Sequence, residues 1–267
     1  MLRIIYIIYQ LFIVLPIGLL ATFLTAVSTI IGCSLGGQRV WGYYPGKLWS
    51  LLLIRLFLLP VKVEGRENIV ESQSYVFCPN HQGAFDIFLI YGFLQRNFKW
   101  ILKQSLRHTP FIGKACESAG FVFVDNNSPK KIQRSYDAAR KILKNGMSIV
   151  IFPEGRRTFT GEMGPYKRGA FLLADDLQLP VVPVTIEGSF DVMPRTRDFH
   201  FVKWHPLRLV IHKPIQPIGK GQENVSYLLE QSMKATKSAL TSHVSATGNE
   251  YRHNHFVLTK PYQFTIL

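Results

Sequence analysis

Residues 4–38 carry no charged side chain. A run of that length exceeds the roughly 20 apolar residues needed to cross a bilayer. It needs lipid, or a large protein face, to cover it. A signal peptide would be shorter and would end at a small-residue cleavage site before a polar mature chain. Here the chain turns apolar again, with Arg55 as the only charge in residues 48–60. The polar break Gly36-Gly37-Gln38-Arg39 reads as a turn. Residues 4–31 and 40–59 therefore read as two membrane-associated helices, which either span the bilayer or dip into one leaflet. Arg3, Arg39, Lys47, Arg55 and Lys62 give no clean inside/outside asymmetry. A pair of buried core helices is the alternative reading.

The rest of the chain is long enough for one sizeable domain, since the total is 267 residues. Hydrophobic residues make up 47%, high for a freely soluble enzyme, and the net charge is +14. That charge calls for an anionic partner. Nucleic acid fits poorly: the basic residues come in twos and threes, with no dense tract and no recognisable binding signature. An anionic membrane face, a phosphorylated lipid or coenzyme A fits the greasy N-terminus better. Cys33, Cys78 and Cys116 are odd in number and lack metal-ligand spacing. They read as reduced, structural thiols of a domain facing the cytosol.

From residue 61 the pattern changes to alternating strands and helices. Short β-branched or aromatic runs at 61–64, 75–78, 99–102, 121–124, 148–152, 181–186 and 207–211 predict strands. Helical stretches are predicted at 86–94, 129–145 and 167–177, with a further one at 223–244. Pro129 suits a helix start and Asn145-Gly146 a helix end. This alternation predicts an α/β domain with a mostly parallel sheet flanked by helices. The expected organisation is a helix pair over residues 1–60, the α/β domain over 61–245, and a tail over 246–267 with no assigned role.

Two motifs carry the chemistry. Asn80-His81-Gln82-Gly83-Ala84-Phe85-Asp86 follows one predicted strand and opens a helix. If the helix begins just after Gly83, His81 and Asp86 turn toward one pocket. Asp86 then holds one ring nitrogen and the other is left to take a proton from a hydroxyl. A structural histidine beside a helix-start acid is the plainer reading of the same pair. The second motif is Phe152-Pro153-Glu154-Gly155-Arg156-Arg157-Thr158. Gly155 allows close backbone approach, Glu154 can accept from a substrate hydroxyl, and an arginine can grip phosphate in a fork. An acidic-basic surface turn is the plainer alternative here. Tyr166-Lys167-Arg168-Gly169-Ala170 adds cations at a helix start, where they oppose the dipole unless an anion sits there. Leu179-Pro180-Val181-Val182-Pro183-Val184 reads as a buried strand.

In this order, the four segments resemble the glycerolipid acyltransferase family of the lysophosphatidate (1-acyl-sn-glycerol-3-phosphate) acyltransferase type. The resemblance covers about residues 60–215. It implies a His81–Asp86 pair that activates the free hydroxyl of a lysophospholipid, most simply 1-acyl-sn-glycerol 3-phosphate, to give phosphatidic acid. It implies an acyl-CoA or acyl-carrier-protein co-substrate and no other cofactor or metal. Glu154, Gly155 and Arg157 would help bind the glycerol phosphate. Arg156, Thr158, Lys103 and Lys167 complete the expected binding set, with the cations among them on the phosphate. Gly113 also looks family-like. The implied setting is a membrane, the bacterial inner membrane, with the domain on its cytoplasmic side.

One departure stands out. The family commonly has an Asp-Arg pair after the strand at 121–124, and this chain has Asp125-Asn126. Either Lys130, Lys131 or Arg134 supplies the missing charge, or the acceptor carries a different headgroup. A membrane-anchored lipid-binding protein with no catalytic base is the non-enzymatic rival. Gly32-Cys33-Ser34-Leu35-Gly36 fits the Gly-x-Ser-x-Gly elbow of serine hydrolases, but that elbow needs a strand before the serine and a helix after it. Here an uncharged membrane-like run precedes it, and Gly36-Gly37 breaks any helix that follows.

Overall fold

The computed structural model describes residues 1–124, 129–143, 147–196 and 200–240, with the main chain alone at 129–132. Asp125, Asn126 and the tail at 246–267 lie outside the described residues.

Seven strands form one sheet in the order β1-β7-β6-β2-β5-β3-β4. They are β1 (Val61–Glu64), β2 (Val76–Pro79), β3 (Phe98–Lys103), β4 (Val122–Val124), β5 (Ser148–Val150), β6 (Val181–Glu187) and β7 (Leu207–Ile211). All seven predicted strands are present. Every pairing is parallel except β6 with β7. Strands β2, β3, β4, β5 and β6 therefore end at one edge of the sheet, where open α/β sheets place ligands.

The central strands β2, β5 and β6 are wholly buried and mostly apolar, as strands covered on both faces should be. Their side chains alternate between faces. Tyr75, Phe77, Val150 and Val182 join a large aromatic cluster with Phe85, Leu89, Tyr91, Phe98 and Trp100. Val76, Cys78 and Val181 face the other way, onto Phe171, Ala174, Val225 and Leu228.

Helix α5 (Asp86–Phe93) covers the first face. On the other face lie α7 (Pro129–Ile142), α8 (Gly169–Leu177) and α10 (Gln222–Ala239). These match the predicted helices, with α7 and α10 ending a few residues early. Helix α6 (Ile112–Ser118) and the single turn α9 (Ser189–Val192) were not foreseen, each being too short to show a period.

The N-terminal apolar run is one continuous helix, Leu2–Ser34. It comprises α1 (Leu2–Tyr9), a π-helical turn (Gln10–Val14) and α2 (Leu15–Ser34). The wide turn falls just ahead of Pro16, which has no N–H for the carbonyl one turn back and whose ring crowds it. At 33 residues this helix is long and apolar enough to cross a membrane, by length and composition. The second apolar stretch divides into a turn, α3 (Gln38–Trp41), and α4 (Tyr44–Leu56), with Pro45 in the first turn of α4. Its 13 residues rise only about 20 Å, less than a bilayer core. Helix α4 packs along α5, and α2 packs outside it against α4 and α6.

The long helix is fastened to the domain at several points. Gln10, buried within the apolar run, donates from Nε2 to the Val202 carbonyl at 2.9 Å and accepts the Val202 N–H at Oε1 at 3.0 Å. Tyr6 and Tyr9 donate to the carbonyls of Phe57 and Leu56. Phe23 meets Phe111 edge-on. The outer face keeps Ile4, Ile8, Phe12, Leu19, Leu20 and Leu24 exposed.

Candidate active site

Asn80 fixes the exit of β2. Its side chain donates to the Ile186 carbonyl and accepts the Ile186 N–H, at 3.0 and 2.7 Å, locking the chain to β6 at full burial. His81 follows directly. The turn at Gly83 brings the start of α5 back beneath it. A Cβ at Gly83 would lie 2.3 Å from the Ser189 carbonyl oxygen, so only glycine fits there.

Asp86 is the first residue of α5 and has no exposed side-chain surface. Its Oδ2 stands 2.7 Å from His81 Nδ1 and accepts the Gly83 N–H at 3.0 Å. The plainer role of a helix-start acid and the role of a histidine partner are thus filled by one carboxylate. The His81 ring is 16% exposed. One face stacks on Phe152, with centroids 3.8 Å apart and planes at 14°, and Phe152 stacks in turn on Trp100. Among the described residues, Nε2 makes no hydrogen bond.

The loop after β5 closes over the histidine. Thr158 N–H donates to the His81 carbonyl at 3.0 Å. Glu154 is 7% exposed. Its Oε1 accepts the His81 N–H at 2.7 Å and its Oε2 the Gly164 N–H at 2.8 Å. Burial pushes its carboxyl pKa up, while the two N–H groups pull it down. Each oxygen of Glu154 thus accepts a main-chain N–H. Gly155 adopts φ +73°, and a Cβ there would lie 2.9 Å from Lys167 Nζ. The Lys167 ammonium therefore rests against this loop. Arg156 is exposed and Arg157 half-buried beside it. Thr158 Oγ1 accepts the Thr160 N–H, shaping the next turn.

Lys103 is exposed at the end of β3, on the same sheet edge but one strand beyond the loop. Arg134 is exposed on α7. Among the described residues, Arg156, Arg157, Lys167 and Lys103 enter no ion pair, although several lie close together. Like charges gathered without counterions repel one another, and an anion relieves that cost. Ser34, the decoy, ends the apolar helix and its hydroxyl donates to the Ile31 carbonyl at 2.7 Å. No strand precedes it, so the hydrolase elbow is not built.

Residues 60–187 match the family model described as Acyltransferase. An uncharacterized acyltransferase of Schizosaccharomyces pombe is 31% identical over 220 residues, covering 81% of this chain and 76% of that protein. The chain belongs to the acyltransferase family. Another relative of this family member is the chloroplastic 1-acyl-sn-glycerol-3-phosphate acyltransferase BAT2 of Brassica napus. The two are 32% identical over 179 residues, 67% of this chain and 51% of BAT2. The chain thus spans about half the length of the plant relatives it matches. Among solved structures, the 1-acyl-sn-glycerophosphate acyltransferase PlsC of Thermotoga maritima superposes with a TM-score of 0.66 at 23% identity. The match covers 91% of this chain and all of that one, a likeness of fold.

Three features of this acyltransferase-family site were not foreseen from sequence. They are the Phe152 platform under the imidazole, the strut made by Glu154, and the arrival of the segment after α9. Nothing local in the sequence marks where a carboxylate's lone pairs go. The run Met193-Pro194-Arg195 offered a basic residue near a strand end as its only signal.

Proposed function

We propose that this protein transfers an acyl group from an acyl thioester to the free hydroxyl of a lysophospholipid, 1-acyl-sn-glycerol 3-phosphate, forming phosphatidic acid. The observation that carries this reading is His81. Its Nδ1 is held by a buried carboxylate and its Nε2 is unbonded, beside a rim of cations without counterions. The names of the plant relatives support the choice of acceptor.

In this mechanism His81 Nε2 takes the proton of the glycerol hydroxyl as its oxygen attacks the thioester carbonyl. Asp86 keeps the ring in the right tautomer and stabilises the imidazolium. The tetrahedral intermediate collapses, the C–S bond breaks, and the leaving thiolate takes the proton from His81. Arg157 and Lys167 hold the phosphate, with Arg156 and Lys103 adding to the field. We assign Glu154 to holding the histidine loop, in place of the substrate contact expected from sequence. Gly155 lets the phosphate approach the main chain, and Thr158 braces the loop. Either acyl-CoA or an acyl-carrier protein serves as donor, and the His81 side chain carries the proton. The exposed apolar face of the N-terminal helix sits in the bilayer, with the catalytic edge on the cytoplasmic side. The three free cysteines are in keeping with that side.

The test is an assay of purified protein against a panel of lysophospholipids with one radiolabelled acyl-CoA. Wild type should yield phosphatidic acid. His81→Ala should lose about 10²–10⁴ in turnover with an unchanged melting transition. Ser34→Ala should stay close to wild type. Near-normal turnover by His81→Ala rejects the assignment and leaves a lipid-binding protein.

A further inference from the structure

The connection from β6 to β7 passes along the catalytic edge, and it is fastened to both site loops. Ala84 N–H donates to the Met193 carbonyl at 3.4 Å, on the histidine loop. Two residues on, Arg195 Nη1 donates to the Arg157 carbonyl at 3.2 Å. The Arg195 guanidinium also lies 4.2 Å over the centre of the Phe159 ring, and Phe159 is 55% exposed. These contacts fix a planar cation on the rim of the site while using one of its five N–H donors. Among the described residues, no carboxylate pairs with Arg195. A guanidinium docked on an aromatic face loses little further freedom when it binds, and its spare donors match the oxygens of a phosphate.

Its position relative to the other cations decides what it would bind. Arg195 is bonded to the main-chain carbonyl of Arg157, so its guanidinium lies against the loop that carries Arg156 and Arg157. Lys167 rests on the neighbouring Gly155. A phosphate monoester carries close to two charges and three terminal oxygens at neutral pH, enough for more than one cation. We propose that Arg195 is a further binding residue for the acyl acceptor and contacts its phosphate monoester. This rests on the acyl-transfer reading given above. Coenzyme A also carries phosphate, so the source must be separated by experiment.

The experiment measures Michaelis constants of the full chain in mixed micelles, for acceptor and donor separately, with acyl-CoA and with an acyl-pantetheine that has no phosphate. Arg195→Ala should raise the KM for 1-acylglycerol 3-phosphate by about 10–100-fold, the loss of one charge-assisted contact. The KM for either donor should stay within about twofold. Arg195→Lys, which keeps the charge but loses the fork, should fall between. An unchanged acceptor KM overturns the proposal, as does a rise confined to acyl-CoA. If Arg195→Ala does not fold, Phe159→Leu removes the platform and should raise the acceptor KM in the same direction by a smaller factor; no rise overturns the proposal. The His81→Ala arm keeps the two readings apart. Activity surviving in that variant removes the acyl-transfer reading itself, whereas an inactive His81→Ala beside a normal Arg195→Ala removes only this inference.

Discussion

The catalytic edge and the N-terminal helix pair use polar groups in opposite ways. At the edge a set of polar groups around His81 is tied down, while Asp86 Oδ1 and Gln82 Oε1 stay buried without a partner among the described residues. Asn80, Glu154, Asp86 and the carbonyl of His81 each meet named main-chain or side-chain partners, and the imidazole is left with one free nitrogen. Along the helix pair the surface is apolar, and one buried side chain, Gln10, makes a reciprocal bond with a distant segment. The polar network at the edge orients the imidazole. The clasp in the helix pair fixes which surfaces meet. Damage to the first should therefore show in turnover, and damage to the second in stability.

Glu154→Gln tests the first half of that contrast, with an effect on turnover second to that of His81→Ala. An amide offers one acceptor oxygen where the carboxylate offers two. Either His81 N–H or Gly164 N–H then faces an NH₂ group in a buried place. We expect kcat to fall about 10–100-fold, because a small misplacement of the base is costly. The acceptor KM should change less than about threefold. A loss carried by KM instead would mean that Glu154 touches the substrate, as the sequence reading had it.

Gln10→Leu tests the second half. Leucine suits an apolar helix, yet it leaves the N–H and C=O of nearly buried Val202 without partners. Unmatched groups of this kind cost about 1–3 kcal/mol. Chemical denaturation in micelles should show that loss, with kcat within about threefold of wild type. A large fall in turnover with unaltered stability would dissolve the distinction between the two regions.

The same contrast explains what could be read from the sequence. The seven strands, the helices α5, α7, α8 and α10, and the pairing of His81 with Asp86 all rest on neighbours within a few residues, so period and spacing reveal them. The clasp between Gln10 and Val202 joins residues 192 positions apart, and no local pattern announces it. The contact of Arg195 with Arg157 spans 38 positions and is hidden from local pattern for the same reason. The second apolar stretch looked like one long helix because hydropathy does not register the break at Gly42-Tyr43 that divides α3 from α4. The loop that holds Glu154 is legible from its motif, but the two main-chain N–H groups that its oxygens accept are not, because they lie 73 and 10 positions away.

A third region, the outer flank of the sheet, should respond to neither kind of damage. Arg208 on β7 forks onto Glu64 on β1, with Nε and Nη2 at 3.1 and 3.0 Å from its two oxygens, and reaches Glu187 with Nη1. Hydrogen bonding to Arg208 lowers the Glu64 pKa to about 2, with burial opposing and Lys62 assisting. Because the folded value lies below the unfolded one, this pair adds stability above about pH 4.5. That contribution is lost as the pH falls from there toward about 2. Glu64→Gln should therefore lower the melting temperature near neutrality and converge on wild type by pH 2. Both groups are about one-third exposed, so solvent screening limits the effect to below about 1 kcal/mol, or a shift of less than about 3 °C. Turnover should not change. A melting difference that persists at pH 2 would assign the variant's loss to altered packing rather than to the charge on Glu64.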